Sequence, residues 1–157
     1  MTYDYRYTDT VPRPTRAPIG VVLARTAKTV SRAFDDALAA AGGSLPIWLI
    51  LISLKTRQGA NQRELAEAVG IQGATLSHHL HAMEADGLVA RRRDPANRRV
   101  HQVTLTEAGE ELFGRLATAA RAHDERLRTG LGPDEIATLE GLLGRLRANV
   151  DGHAPPA

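Results

Sequence analysis

The sequence predicts a mainly α-helical fold with one small β-hairpin, and three observations lead to it. Apolar residues recur at three- and four-residue steps over most of the chain. Glycines, several beside a proline or a small polar residue, interrupt that period where helices would stop and start. Only near residues 88–105 does the period shorten to two, on either side of a loop containing Pro95 and Asn97. At 157 residues the chain has room for one compact domain with appended helices, not for two enzymatic domains. A composition 43% hydrophobic and 24% charged excludes disorder throughout.

Residues 1–17 are polar and aperiodic and hold all three tyrosines, so they are expected to form a flexible arm. From Pro18, the apolar residues Val22, Ala27, Val30, Phe34, Leu38 and Ala41 outline a long helix that Gly42 and Gly43 close. The apolar run after Ser44 would suit a buried strand or a buried helix. Ser44 as N-cap and Pro46 in the first turn favour a helix ending near Arg57.

Asn61 caps a short helix whose Leu65, Ala66 and Val69 share one stripe, and Gly70 then supplies a residue that tolerates a left-handed turn. A second short helix is expected over Gly73–Ala85. Two such helices joined by a turn, with Ala66 where they would cross closely, make a helix-turn-helix pattern. The segments Leu88–Arg93 and Val100–Thr106 then alternate as the strands of a hairpin, and a hairpin directly after a helix-turn-helix is a wing.

Thr106 opens a second long helix with Leu112, Phe113, Leu116, Ala119, Ala120, His123 and Leu127 along one face, interrupted by Gly130. Pro133, Asp134 and Glu135 start the last helix, where Ile136, Leu139, Leu143, Leu146 and Val150 follow at steps of 3, 4, 3 and 4. That spacing is a narrow seam of the coiled-coil kind. The expected organisation is an arm at 1–17, one domain at 18–150 and a frayed tail at 151–157. Within the domain, the helices of 18–43 and 106–150 flank a winged helix-turn-helix at 44–105.

The absence of cysteine removes disulfides, thiolate metal sites and thiol-based redox sensing. No signal peptide is apparent, and the longest apolar run, Leu45–Leu54, is too short to span a bilayer, so a cytoplasmic protein without a membrane partner is expected. Net charge is only +2, but its distribution is uneven. Arg91, Arg92, Arg93, Arg98 and Arg99 fall within nine residues, whereas residues 106–150 carry eight carboxylates against six arginines. One basic ridge on a neutral body suits duplex DNA, with a solvated loop as the alternative that the surrounding motifs must decide against. Strand alternation limits this, since it turns only some of Arg91, Arg92 and Arg93 outward.

At 100° per residue, Leu76, Leu80 and Met83 lie within about 60° of one another and mark the buried side of the second motif helix. The opposite side holds Ala74, Thr75, His78, His81 and Ala82. Small and hydrogen-bonding side chains there let the backbone approach a major groove and present donors and acceptors to base edges, so Thr75 and His78 are the expected base readers. Gln72, Ser77 and the Asn61 cap are the expected phosphate contacts. Arg98 and Arg99 occupy the wing tip, where arginine can enter a narrow minor groove.

Two other function classes compete with this reading. His78 and His81 share a helix face as metal ligands would, but no HExxH motif and no general base accompany them, so no cofactor and no enzymatic activity are expected. A winged helix can also serve protein association, but the outward face here lacks the aromatic anchors of a protein hot spot.

The run from Glu64 to Phe113, with a long helix before it and two after, resembles the multiple-antibiotic-resistance regulator (MarR) family over about residues 18–150. The ELA of the first motif helix, the ME-x-x-GL-V after the second, the N-R-R wing tip and the L-T-x-x-G that follows occur in family order and spacing. The resemblance implies a homodimer closed by its N- and C-terminal helices, binding a pseudo-palindromic duplex as a ligand-responsive repressor. It implies a wing arginine at Arg99 and base contacts at Thr75 and His78. Asn97 stands where the family commonly has aspartate, leaving Asp94 as the candidate brace for that arginine. It further implies a small aromatic or anionic effector between the dimerisation helices and the DNA-binding lobe, with Trp48 as candidate lining; His79, beside the Met83 edge of the buried stripe, reads as a partly buried, satisfied histidine first and as a second candidate facing such a cavity. For a lone tryptophan in an apolar helix, a plain core role is the alternative.

Overall fold

The computed structural model describes residues 16–56, 62–93 and 101–152. The helices among them are α1 (Ile19–Ala40), α2 (Leu45–Thr56), α3 (Gln62–Val69), α4 (Gly73–Ala85), α5 (Glu107–Arg128) and α6 (Pro133–Val150). Between α4 and α5, β1 (Val89–Arg93) pairs antiparallel with β2 (His101–Leu105). Asn61, Arg98 and Arg99 lie outside the described residues, as do Asp94 and Asn97.

The segment after Ser44 is a helix. The Ser44 carbonyl accepts the Trp48 N–H at 2.9 Å, so the first ladder donor lies two residues beyond Pro46, whose missing N–H falls in the first turn where no partner is needed. Because α2 is apolar all round, it belongs inside, and it packs against α3, α5 and β2. Its Ile50, Leu51 and Leu54 are buried with Leu65 and Ala66 of α3, Leu76, Leu80 and Met83 of α4, Val89 and Val103 of the hairpin, and Leu112 and Leu116 of α5. Each fully buried aliphatic side chain contributes about 1.5–3 kcal/mol by leaving water. Ser53, buried in this core, returns its hydroxyl proton to the Leu49 carbonyl at 2.7 Å.

The chain divides into two units at the boundary between Ala33 and Phe34, within α1. In the first unit, the α1 residues Ile19, Val21, Val22 and Leu23 are exposed, and Thr29 donates to the Arg25 carbonyl at 3.1 Å. In the second, the end of α1 contributes Leu38 to the core, and Phe34 lies against His123 of α5 with ring centroids 5.0 Å apart.

The apolar face expected on α5 is buried at Leu112 and Leu116 and half-buried at Phe113, Ala119, Ala120 and His123, but Leu127 is exposed. The same trend continues beyond it. Gly132 donates its N–H to Glu135 Oε2 at 2.8 Å and Pro133 opens α6, yet no residue of α6 is buried. Leu139, Leu142, Leu143 and Val150 are all exposed. The 3–4 seam is therefore exposed in the single chain at Leu139, Leu143 and Val150 and half-buried at Ile136 and Leu146.

Candidate nucleic-acid interface

The helix-turn-helix is built around a close crossing. Ala66, 8% exposed, offers no bulk where α3 meets α4. Gly70 follows at φ +73°, a left-handed conformation that costs an L-residue energy and costs glycine little. Its N–H and that of Ile71 both donate to the Ala66 carbonyl, at 2.9 and 3.1 Å, closing α3 and sending the chain toward α4. Across the crossing, Gln62 Nε2 donates to Ser77 Oγ, and Ser77 Oγ donates in turn to the Gly73 carbonyl at 2.8 Å.

On α4 the two faces separate as the helical wheel predicts. Leu76, Leu80 and Met83 are buried, while Ala74, Thr75, His78, His81 and Ala82 are exposed. Gln72 is the N-cap residue, extended at φ −67° and ψ 146°, exposed, and makes no side-chain cap bond. The first N–H groups of α4 and the positive end of its dipole lie beside it, an arrangement that favours an anion. An open groove runs between α3 and α4, lined among others by Gln62, Arg63, Glu67, Gln72 and Gly73. Arg63 Nε pairs with Glu67 Oε1 at 3.2 Å along its rim.

Thr75, His78 and Gln72 therefore lie exposed where the sequence places them. Ser77 is different. It is half-buried and its single hydroxyl proton is committed to Gly73, so it ties α3 to α4 rather than presenting a free donor. Gln62, which supplies the other half of that tie, went unremarked in the sequence because a polar residue in the first turn of a helix usually faces water.

The hairpin register sets Val89 opposite Leu105 and Arg91 opposite Val103. Val89 and Val103 are buried, whereas Thr104 on the other face is exposed. Alternation thus turns Arg91 inward, and its Nε lies 3.3 Å from Glu84 Oε2 of α4, an ion-pair contact off the hydrogen-bond axis. One member of the arginine ridge consequently faces protein.

Beneath the wing, two motifs distant in sequence interlock. Thr106 caps α5 by accepting the Gly109 N–H at 3.1 Å while its hydroxyl donates to the Gly87 carbonyl at 2.6 Å. The Leu88 carbonyl accepts the Thr106 N–H at 3.1 Å. This is the physical content of the GL-V and L-T-x-x-G patterns: each supplies half of a clamp between the end of α4 and the start of α5.

The two residues expected beside an effector have different partners. Trp48 stacks on Phe113 with centroids 5.7 Å apart and planes 14° apart, and Lys55 Nζ sits 5.6 Å from the same Phe113 ring while pairing with Glu110 at 3.0 Å. His79 is half-buried on α4, its ring 6.0 Å from that of His78. Among the described residues no three His, Asp or Glu side chains gather as metal ligands, and no single helix is long and apolar enough to cross a membrane.

The MarR family profile matches residues 44–101, from the start of α2 to the first residue of β2. Among solved structures, the transcriptional repressor CouR bound to a 23-mer DNA duplex is 30% identical, with a TM-score of 0.73 over 83% of this chain and 92% of CouR. The PcaV transcriptional regulator of Streptomyces coelicolor is 23% identical, with a TM-score of 0.76 over 87% of this chain and 99% of its own. BpsR of Bordetella bronchiseptica, whose DNA binding is regulated by 6-hydroxynicotinic acid, is 24% identical, with a TM-score of 0.69 over 82% of this chain and 98% of its own. The last two bear on the fold, while CouR, aligned over nearly its whole length, bears on descent. The relatives are transcriptional regulators, not enzymes. With this likeness resting on a helix-turn-helix and wing already assembled from their own residues, the chain belongs to the MarR family of DNA-binding transcriptional regulators.

Proposed function

We propose that this regulator is a homodimeric, ligand-responsive repressor that covers a pseudo-palindromic operator in the cytoplasm. The observation that carries the DNA-reading part is the outward face of α4, where small side chains flank exposed Thr75 and His78 above a buried apolar stripe. In this assignment Thr75 and His78 read base edges in the major groove. Gln72, the α4 N-terminus and Asn61 hold phosphates, and Arg98 and Arg99 enter the flanking minor groove. Ser77 acts one step back, holding the angle between α3 and α4.

The homodimer reading draws on the uncovered seam of α6. Leu139, Leu142 and Leu143 form an exposed apolar row, and the helices of 18–43 and 106–150 are the assigned dimerisation elements. The effector reading draws on BpsR, a relative whose DNA binding a small aromatic acid regulates. A compound of that class beside Trp48 and His79 would favour a conformation whose two lobes no longer match the half-site spacing, shifting the population off DNA.

The test is binding of the full chain, by fluorescence anisotropy across a salt series, to the duplex immediately upstream of its own gene and to a scrambled duplex. The expected result is a steep log-log salt slope and a preference for the upstream duplex of roughly a thousandfold or more. Equal, weak binding to both would overturn sequence-specific recognition.

A further inference from the structure

We infer that Glu84 and Arg91 form a brace that aims the wing, so that Arg91 serves DNA binding by positioning and not by touching a phosphate. The inference rests on the wing reaching DNA as proposed above. By charge alone, Arg91 belongs to the basic ridge. The hairpin register overrides that grouping, because Arg91 shares a face with buried Val89 and stands opposite buried Val103. A charge on the inner face of a hairpin requires a counter-charge. Glu84, in the last turn of α4, supplies it at 3.3 Å, with the arginine side chain 22% exposed and the glutamate 40%.

Two features separate this arginine from a phosphate ligand. Phosphate contact uses the guanidinium fork presented at the surface. Here Nε and Nη2 are buried and have no hydrogen-bond partner among the described residues, so the group is held by charge with part of its fork turned into the protein. The pair also spans the two elements that read DNA: its acid lies on α4 and its base on β1. Val89 and the Thr106 clamp seat the root of the wing, and Arg91 adds a contact to α4 two residues further out along the strand. A second point of attachment beyond the root fixes a direction as well as a position.

The two unmet donors make the brace costly to the fold. Replacing Arg91 by methionine removes that cost while filling similar space, so folding stability should change little even as the wing loses its aim. A purely structural ion pair would show the reverse, a loss of stability with unaltered DNA recognition.

The experiment uses the full chain, anisotropy across a salt series, and the duplex upstream of its own gene. The variants are Arg91→Met, Glu84→Gln, the exchange Glu84→Arg with Arg91→Glu, and Arg99→Ala as a test of the wing itself. Arg91→Met and Glu84→Gln are each expected to weaken binding on the order of tenfold without changing the salt slope, and the exchange to recover most of the loss. The melting temperature of Arg91→Met should stay within a few degrees of the parent. A slope reduced by about one in Arg91→Met, with Glu84→Gln neutral, would mean that Arg91 contacts phosphate and would overturn the brace. Neutral Arg91→Met and Glu84→Gln beside a damaging Arg99→Ala would overturn the brace alone, whereas a neutral Arg99→Ala would remove the wing from the interface and the brace with it. Should Arg91→Met fail to fold, Glu84→Gln at its half-exposed site carries the same comparison with the exchange.

Discussion

A β-carbon placed on Gly109 would lie 2.0 Å from the carbonyl oxygen of Leu88, closer than any two such atoms can stand. The first turn of α5 is thus pressed directly onto the backbone at the start of the wing. Gly109→Ala is expected to destabilise the fold at or above the upper end of the roughly 1–3 kcal/mol typical of overpacking, because a backbone carbonyl cannot swing aside as a side chain does. Gly114→Ala, later in the same helix and with nothing within 4 Å, should instead be stabilising by about 0.5–1 kcal/mol. Urea unfolding of the pair, compared with the parent, checks both signs.

Thr106 holds the same junction through its hydroxyl, so Thr106→Val should cost about 1–2 kcal/mol by uncapping α5 and leaving the Gly87 carbonyl without its donor. Thr106→Ser keeps the hydroxyl and should recover most of that loss. Denaturant midpoints of the two variants make the comparison, and a loss in Thr106→Ser with none in Thr106→Val would mean that the methyl group, not the hydroxyl, matters.

If Thr75 and His78 read bases, their alanine variants should lose discrimination at particular positions and not affinity in general. Each is expected to flatten the penalty of about 1–3 kcal/mol that single-base changes impose at its own site, with little change at others. Competition binding on a set of singly substituted duplexes would reveal this pattern, and a uniform loss across the set would assign them to the phosphate backbone instead.

For the α6 seam, Leu139→Glu with Leu143→Glu puts two carboxylates on residues that are already exposed in the single chain. The helix itself should persist, but sedimentation should move from dimer to monomer, and affinity for a two-half-site duplex should fall steeply while a half-site duplex is bound as before. An unchanged sedimentation coefficient would place the subunit contact elsewhere.

Much of this architecture is legible in the sequence, for a reason visible in α4. Leu76, Leu80 and Met83 repeat with the pitch of a helix, and the burial that follows depends only on that repeat. Helix ends are legible at Gly70 and Pro133 because backbone geometry there is set by the residue itself. What stays hidden depends on partners far along the chain. Arg91 reads as one more surface arginine until the pairing with Val103 decides its face. Ser77 reads as a phosphate contact until Gln62, donating to its hydroxyl oxygen from α3, makes it part of the tie between the two helices. The glycine of L-T-x-x-G is recognisable as a pattern, but its cause, the nearness of Leu88, exists only once the hairpin has formed.

The stacked pair of Trp48 and Phe113 has a practical consequence. Trp48 is the sole tryptophan of the chain, and its partner belongs to α5, the helix whose first turn is clamped to the wing. Indole absorbs at longer wavelength than phenol, so its emission can be excited apart from that of the three tyrosines, all of which lie in the first seven residues. The protein therefore carries its own optical probe at the junction between α2 and α5, and any compound or duplex that disturbs that packing can be followed by the intrinsic fluorescence of the unlabelled chain.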